Sequence, residues 1–490
     1  MMTFPSLYSA QEITDIEQAL SDVCALDDLM ACAGRHVFES AEKYYPEAQQ
    51  WAVICGPGNN AGDAYIAATL ARVANKQVTV YATVLPEALT GAACEAAKTY
   101  TAVADVVLIG DAWELPKNVD LIIDGVFGVG LNKSVTGLYA QCIAEMNAHD
   151  APVIAIDVPS GLDATTGYPR GLAVQADQTL VMLAHKQGLY MGQAQAYVGD
   201  VHFHDLNISR TLLSKHHRML LTQAGLRSLL PRRPVDIHKH ACGHVLIIGG
   251  DQGMHGAAVL AGRAALRAGA GLVSLAVHPQ SVTHGVGSTP ELMCHGIAEV
   301  DTLGPLLEQA DAVVVGPGMC SSDWAQEIVG RVLDRDIPMV VDAGALPFLK
   351  GRRAHFADIV CTPHVGEAAR LLGVPAAAIQ QDRFAAVDAL VNQFGGAMVL
   401  KGAGTLIRHQ ADTMLCPFGT PGLATAGTGD VLAGVIGALL AQGCAPFDAA
   451  TLGVGLHALA GEAAAQEKTV YGMLASDVIE ALPTAFAKLL

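Results

Sequence analysis

Aspartates that follow short β-branched runs and sit among glycines are the residues in this sequence with the most obvious chemistry. The N-terminal half holds three such segments: Cys55-Gly56-Pro57-Gly58-Asn59-Asn60-Ala61-Gly62-Asp63, Asp124-Gly125-Val126-Phe127-Gly128-Val129-Gly130 and Asp157-Val158-Pro159-Ser160-Gly161. A glycine-rich turn between strand and helix presents backbone N–H groups at the positive end of a helix dipole, which suits a phosphate-bearing ligand. The glycines at 56, 58 and 62 depart from the Gly-x-Gly-x-x-Gly fingerprint, and the added asparagines and aspartate serve no purpose in hydride transfer, so a standard NAD-dependent dehydrogenase is disfavoured. Asn60, Asp124 and Ser160 together offer oxygen ligands to a hard cation and leave Asp157 for proton transfer. For any one segment the alternative is ordinary turn chemistry; three in one domain weaken that alternative.

The C-terminal half carries a different set. Ala426-Gly427-Thr428-Gly429-Asp430 precedes the apolar stretch from Val431 to Ala441, which places N–H donors and one carboxylate at a helix N-terminus. Upstream, Lys401-Gly402-Ala403-Gly404-Thr405 supplies a cation, close backbone approach and a hydroxyl for a nucleotide phosphate or ribose. Neither is a Walker loop. His364, in Thr362-Pro363-His364-Val365-Gly366-Glu367, reads equally as a helix cap or a site residue.

These segments need a scaffold that brings strand ends together. Ser9 and Glu12 have capping-box spacing, and Ile13, Ile16, Leu20 and Val23 continue one apolar helical face. Strands are expected at Trp51 to Cys55, Gln77 to Val84, Asp105 to Ile109, Asp120 to Asp124 and Pro152 to Asp157. A second series is expected at His244 to Ile248, Leu272 to Val277, Ala312 to Val315, Met339 to Val341, Ile359 to Cys361 and Met398 to Leu400. Alternation with Ala-rich helical stretches means parallel sheets covered by helices. Between Ile208 and Lys239 the pattern breaks into a stretch with His216, His217, Arg218, Arg232 and Arg233, where the domain junction is expected.

The chain length, 490 residues, exceeds what one core usually supports. A composition of 51% hydrophobic and 16% charged residues is that of compact α/β domains. The net charge of -18 argues against a general role on nucleic acid or an anionic membrane, since both require a basic surface. The 11 cysteines show no Cys-x-x-Cys or zinc spacing and read as buried thiols in a reducing compartment. Glu12, Asp15 and Glu17 stand where a signal peptide would be basic and then apolar, so a cytoplasmic location is expected.

The three N-terminal segments resemble those of the YjeF proteins, the NAD(P)HX epimerases, over roughly residues 1 to 210. The C-terminal set, with Gly249-Gly250-Asp251, Met254-His255-Gly256-Ala257, Ala268-Gly269-Ala270-Gly271-Leu272, Gly316-Pro317-Gly318 and Leu474-Ala475-Ser476-Asp477, resembles the ribokinase-like ADP- or ATP-dependent NAD(P)H-hydrate dehydratases. The resemblance implies an α/β chain of two domains, an N-terminal Rossmann-like αβα sandwich at 1–212 and a ribokinase-like αβα domain at 238–490, joined by a linker at 213–237. It implies that NADHX or NADPHX is epimerised against Gly58, Asn59, Asn60, Ala61, Gly128, Val129, Gly130, Leu131, Asn132, Lys133, Ser134, Tyr139 and Asp157, with Asp157 the acid/base candidate. By the same likeness K+ is held by Asn60, Asp124 and Ser160. The resemblance also implies that Ala257, Gly318, His364 and the catalytic Asp430 take the substrate of dehydration, while Lys401, Gly402, Ala403, Gly404, Thr405 and Gly429 take ADP or ATP with Mg2+. A homo-oligomer without nucleic-acid or membrane partners is implied as well. The sequence departs from the family at Ala61, at Met30-Ala31-Cys32-Ala33-Gly34, and at Gly344 in Asp342-Ala343-Gly344, where a second aspartate is usual. Two other readings stay open: a ligand-binding module without catalysis in the N-terminal half, and a small-molecule kinase in the C-terminal half.

Overall fold

The computed structural model describes residues 4–21, 26–208, 213, 217–282, 289–351 and 358–490. Two compact units form, Ser6–His216 and His217–Leu490, the second including the chain start Met1–Pro5.

In the first unit, helix Ala10–Ser21 opens with the expected reciprocal cap: Ser9 N–H donates to Glu12 Oε2 at 2.7 Å and Glu12 N–H to Ser9 Oγ at 3.3 Å. Ile13 and Leu20 are buried beneath it, whereas Val23 lies outside the described residues. Strand β1 (Leu7–Tyr8) pairs with β8 (His185–Lys186) in a small parallel sheet. The main sheet contains β2 (Gln50–Cys55), β3 (Gln77–Ala82), β4 (Val106–Leu108), β5 (Leu121–Gly125), β6 (Val153–Ile156), β7 (Gln178–Met182) and β9 (Asp200–His204), in the order 4-3-2-5-6-7-9. Every pairing in it is parallel. Helices cover both faces, which is why β2 and β5 read as continuous apolar runs rather than alternating ones. Strand order reverses between β2 and β5, so the loops after these two strands flank the crevice where doubly wound sheets take their ligands. Strand β6 stops at Ile156 because Asp157 has φ +64°, which an extended strand cannot accommodate.

The second unit holds a ten-stranded sheet of β10 (Arg218–Leu220), β11 (His244–Gly249), β12 (Leu272–Val277), β13 (Met293–Gly296), β14 (Ala312–Val315), β15 (Met339–Val341), β16 (Ile359–Cys361), β17 (Ala397–Leu400), β18 (Thr405–His409) and β19 (Asp412–Cys416). The order is 10-19-18-17-16-15-14-11-12-13, antiparallel only where β18 meets β17 and β19. The switch point lies between β11 and β14. Helices His255–Arg267, Thr428–Ala441 and Pro446–Gly472 supply much of the main core.

Residues 213–237, read from the sequence as a linker, contain β10 and helix Gln223–Leu229, both part of the second unit. Leu220 is buried and Leu226 fully so, and that packing turns a basic, Pro-bearing stretch into structure. His216, part of the same basic stretch, lies outside the described residues. The ten cysteines in the described residues are unpaired. No helix among the described residues is long and apolar enough to cross a membrane.

Candidate active sites

Gly56 has no alternative in the first unit, because a Cβ there would overlap the carbonyl oxygen of Val126. The loops after β2 and β5 therefore touch, and Gly56 N–H donates to Gly125 O at 3.1 Å. Helix Asn59–Val73 starts at Gly58 without a side-chain cap, so its first turn can meet an anion. Above it opens a cavity of about 1080 Å³ lined by Gly58, Asn59, Asn60, Gly128, Val129, Gly130, Leu131, Asn132, Lys133, Ser134, Tyr139 and Asp157. Ala61 is not part of this wall: it is fully buried in the core, and its methyl group serves packing.

Asp124 and Ser160 lie below the cavity and are both fully buried. Ser160 Oγ donates to Asp124 Oδ1 at 2.6 Å, Ser160 N–H donates to Oδ2 at 2.8 Å, and Phe127 O lies 3.2 Å from Ser160 Oγ. Asn60 is buried with its Oδ1 against Gly128, and its Nδ2 has no hydrogen-bond partner among the described residues. Burial pushes the Asp124 carboxyl up to about 6 even though Ser160 and Val126 hydrogen bonds favour the anion. A buried carboxylate beside neutral oxygens, with no lysine or arginine paired to it among the described residues, fits a hard monovalent cation.

Three groups of this site were not singled out from the sequence. Lys186 forms an ion pair with Asp157, and Glu17 and Asp63 line the same cavity. Burial and the Asp157 charge raise the proton affinity of both Glu17 and Asp63. The available signal was faint: Asp63 closes the glycine-rich loop, whereas no local pattern marks Lys186 or Glu17.

In the second unit the loops after β11 and β14 are zipped together. Gly250 N–H donates to Pro317 O at 2.9 Å and Asp251 N–H to Gly318 O at 3.0 Å. Gly318 has φ +64° and a Cβ there would lie 2.9 Å from the Ala257 Cβ, so these two expected substrate residues are neighbours. Asp251 accepts from Ser322 Oγ at 2.5 Å and secures the loop beyond.

Three more strand ends meet nearby. Asp342, after β15, accepts from Thr362 Oγ1 at 2.7 Å and pairs with Lys401 Nζ at 3.0 Å. His364 and Lys401 form a parallel bridge that aligns the ends of β16 and β17. Lys401 loses solvation on burial, yet Asp342, Glu367 and Asp430 outweigh that loss and raise its proton affinity. The Gly427 N-cap takes φ +91° and sends helix Thr428–Ala441 off with its N-terminus uncapped by any side chain. A Cβ at Gly429 would lie 3.4 Å from Lys401 Nζ, so the expected nucleotide residues Gly429 and Lys401 are adjacent. Burial first, then the Asp342 charge and, more weakly, that of Glu367, push Asp430 up to about 7, with Lys401 pulling the other way. A carboxylate tuned to neutrality is suited to general base catalysis.

His364 is a helix cap whose ring remains half exposed. Its Nδ1 accepts from Gly366 N–H at 2.9 Å, and Glu367 Oε2 accepts from His364 N–H at 2.8 Å. The loop Gly402, Ala403, Gly404 is held at both ends by Arg383, which donates to Leu400 O at 3.1 Å and Gly404 O at 3.3 Å, while Thr405 Oγ1 donates to Gly402 O at 2.9 Å. Gly344 has a structural reason for lacking the usual aspartate: a Cβ there would overlap Met319 O.

The folds and sites define the class, a two-unit α/β enzyme with a Rossmann-like N-terminal unit and a ribokinase-like C-terminal unit. Residues 26–188 match the family model "YjeF-related protein N-terminus", and residues 245–484 match "NAD(P)H-hydrate dehydratase". Bifunctional NAD(P)H-hydrate repair enzymes from Coxiella burnetii and Escherichia coli are 40% and 38% identical over 96% and 97% of this chain, covering 97% and 93% of their own lengths. The crystal structure of the ADP/ATP-dependent NAD(P)H-hydrate dehydratase of Bacillus subtilis, co-crystallised with ATP and Mg2+, is 31% identical with a TM-score of 0.51, over 55% of this chain and 98% of that one. The chain belongs to the bifunctional NAD(P)H-hydrate repair enzyme family.

Proposed function

We propose that the first unit interconverts the R and S forms of NADHX or NADPHX, and that the second dehydrates the S form to NAD(P)H while consuming ADP or ATP. With ADP the products are AMP and phosphate. The observation that carries this reading is Asp430, raised to about 7 at an uncapped helix N-terminus beside Lys401. Hydroxide on C6 of the reduced ring is a poor leaving group. Asp430 takes the C6 hydroxyl proton, the oxygen attacks the terminal phosphorus, and the amides of Gly427 to Gly429 stabilise the transferred group. The C6–O bond then breaks with help from the N1 electron pair, phosphate leaves, and loss of a C5 proton restores the dihydronicotinamide.

Asp342, Glu367 and Asp430 face the single ammonium of Lys401, a surplus of negative charge that fits Mg2+ brought in with the nucleotide. The ion would neutralise charge on the phosphates. In the first unit K+ would be held by Asn60, Asp124 and Ser160 and would fix the loops below the cavity. Assembly as a homo-oligomer and residence in the cytoplasm belong to the same reading. Purified protein given mixed epimers of hydrated NADH, Mg2+ and K+ should recover all the reduced-nicotinamide absorbance with ADP or ATP and none without nucleotide. Transfer of phosphate to another alcohol with no recovery would instead establish a kinase.

A further inference from the structure

Lys186 is sealed, its side chain only 1% exposed, although it lies at the floor of the N-terminal cavity. A buried ammonium is costly unless it is paired and hydrogen-bonded. Lys186 Nζ is ion-paired to Asp157 Oδ1 and donates to Met182 O at 2.6 Å. Asp157 Oδ1 also accepts Met182 N–H at 3.0 Å, while Oδ2 accepts no hydrogen bond from a described residue. The Asp157 side chain is 12% exposed. One oxygen is thus tied down behind the wall, and the carboxylate that carries it reaches the cavity.

We propose that Lys186 is the positioning residue of epimerisation, holding Asp157 as an anion by its Oδ1 so that Oδ2 takes the proton of the C6 hydroxyl. This rests on the epimerase reading of the unit. As the proton leaves, C6=O forms and the C6–N1 bond opens, its electron pair moving onto N1 and into the conjugated carboxamide. Rotation about C4–C5 or C5–C6 presents the other face of the aldehyde. N1 then closes on C6 and Asp157 returns the proton, so no oxidant or co-reactant is consumed. Glu17 from helix Ala10–Ser21 and Asp63 from helix Asn59–Val73 face the same carboxylate, whose charge adds to burial in raising the proton affinity of both. Lys186 is the cation in contact that offsets them.

The test compares Lys186→Gln, Lys186→Arg and wild type by the pH dependence of epimer interconversion, followed by chromatography, with calorimetric unfolding of the first unit as the folding control. Lys186→Gln should lower kcat by about a hundredfold and move the acid limb of kcat/KM up by about one pH unit or more. KM should change little, and Lys186→Arg should restore the limb. Equal losses in both variants with the limb unmoved would reduce Lys186 to a structural residue and overturn the proposal. The Asp157 carboxylate is titrated in parallel by 13C NMR. An upward shift in Lys186→Gln supports the pairing even if wild type fails to interconvert the epimers, a failure that would count against the epimerase reading; no shift overturns the pairing whichever way the epimers behave.

Discussion

Both units bury a lysine against an aspartate at a strand end, but the pairing differs. In the first unit Lys186 pairs with Asp157, the acid/base candidate itself. In the second, Lys401 pairs with Asp342, and the acid/base candidate Asp430 is left with two carboxylates near it and a value of about 7. The difference matches the two tasks. A base that must release its proton again on ring closure benefits from a permanent counter-charge. A base that works while phosphate charge arrives benefits from being poised at neutrality beside a lysine ammonium.

Exchanging the roles of the two aspartates is the severest test. Asp430→Asn should lower nucleotide-dependent dehydration by about 10²- to 10⁴-fold and leave epimer interconversion intact, while Asp157→Asn should do the reverse. Recovery of absorbance from pure S and pure R substrate separates the two activities. Loss of both in either variant would break the division of labour between the units.

Lys401→Met sharpens the contrast. It removes the cation that pulls Asp430 down, so the acid limb of dehydration should move above its wild-type position near pH 7. The KM for ADP should also rise by about tenfold, the scale of one lost charge-assisted contact. A KM effect without a moved limb would mean that Lys401 serves the nucleotide alone.

The poise of Asp430 also has a cost in stability. The folded value of about 7 lies above the ordinary carboxylate value, so the folded unit retains a proton that the unfolded chain releases. The contribution of Asp430 to the stability of the second unit therefore falls as pH rises from about 4 to about 7, and its full penalty persists above. Without nucleotide, Asp430→Asn should raise the unfolding temperature of that unit more at about pH 8 than at about pH 4. Scanning calorimetry at the two pH values checks this, and an equal effect at both would contradict the raised value.

Glycines separate the architecture of a loop from its contacts. Gly56→Ala should disrupt the first unit, because the clash is with the backbone of Val126, whereas Gly58→Ala meets nothing within 4 Å and should fold normally. Circular dichroism melting distinguishes them.

The local parts of both sites were legible in the sequence. Glycine loops after strands, the Ser9 cap and the Asp430 helix start depend on neighbours within a few residues, so spacing alone exposes them. Strands β1, β7, β8, β9, β10, β13, β18 and β19 were not anticipated, and β1 and β8 span two residues each, too few to show a period. The Lys186 pairing was hidden for a different reason: its partner lies 29 residues away, and nothing local marks a lysine that long-range packing will bury. The same reasoning explains why residues 213–237 looked like a linker.

The least legible feature is the chain start, which also yields the smallest effect expected here. Pro5 O accepts Leu220 N–H at 2.8 Å, adding a hydrogen bond beside edge strand β10, and the Phe4 ring packs directly over Gly225 of helix Gln223–Leu229. Residues that sequence order assigns to the first unit thus belong to the second. Phe4 is only partly buried, so its truncation removes part of an aromatic contact and opens no closed cavity. Phe4→Ala should therefore cost about 1 kcal/mol, the centre of the range for single substitutions, and the loss should fall on the second unit alone. Urea unfolding followed separately through epimerisation and dehydration measures it. A shift in the epimerase midpoint instead would return the chain start to the unit that follows it in sequence.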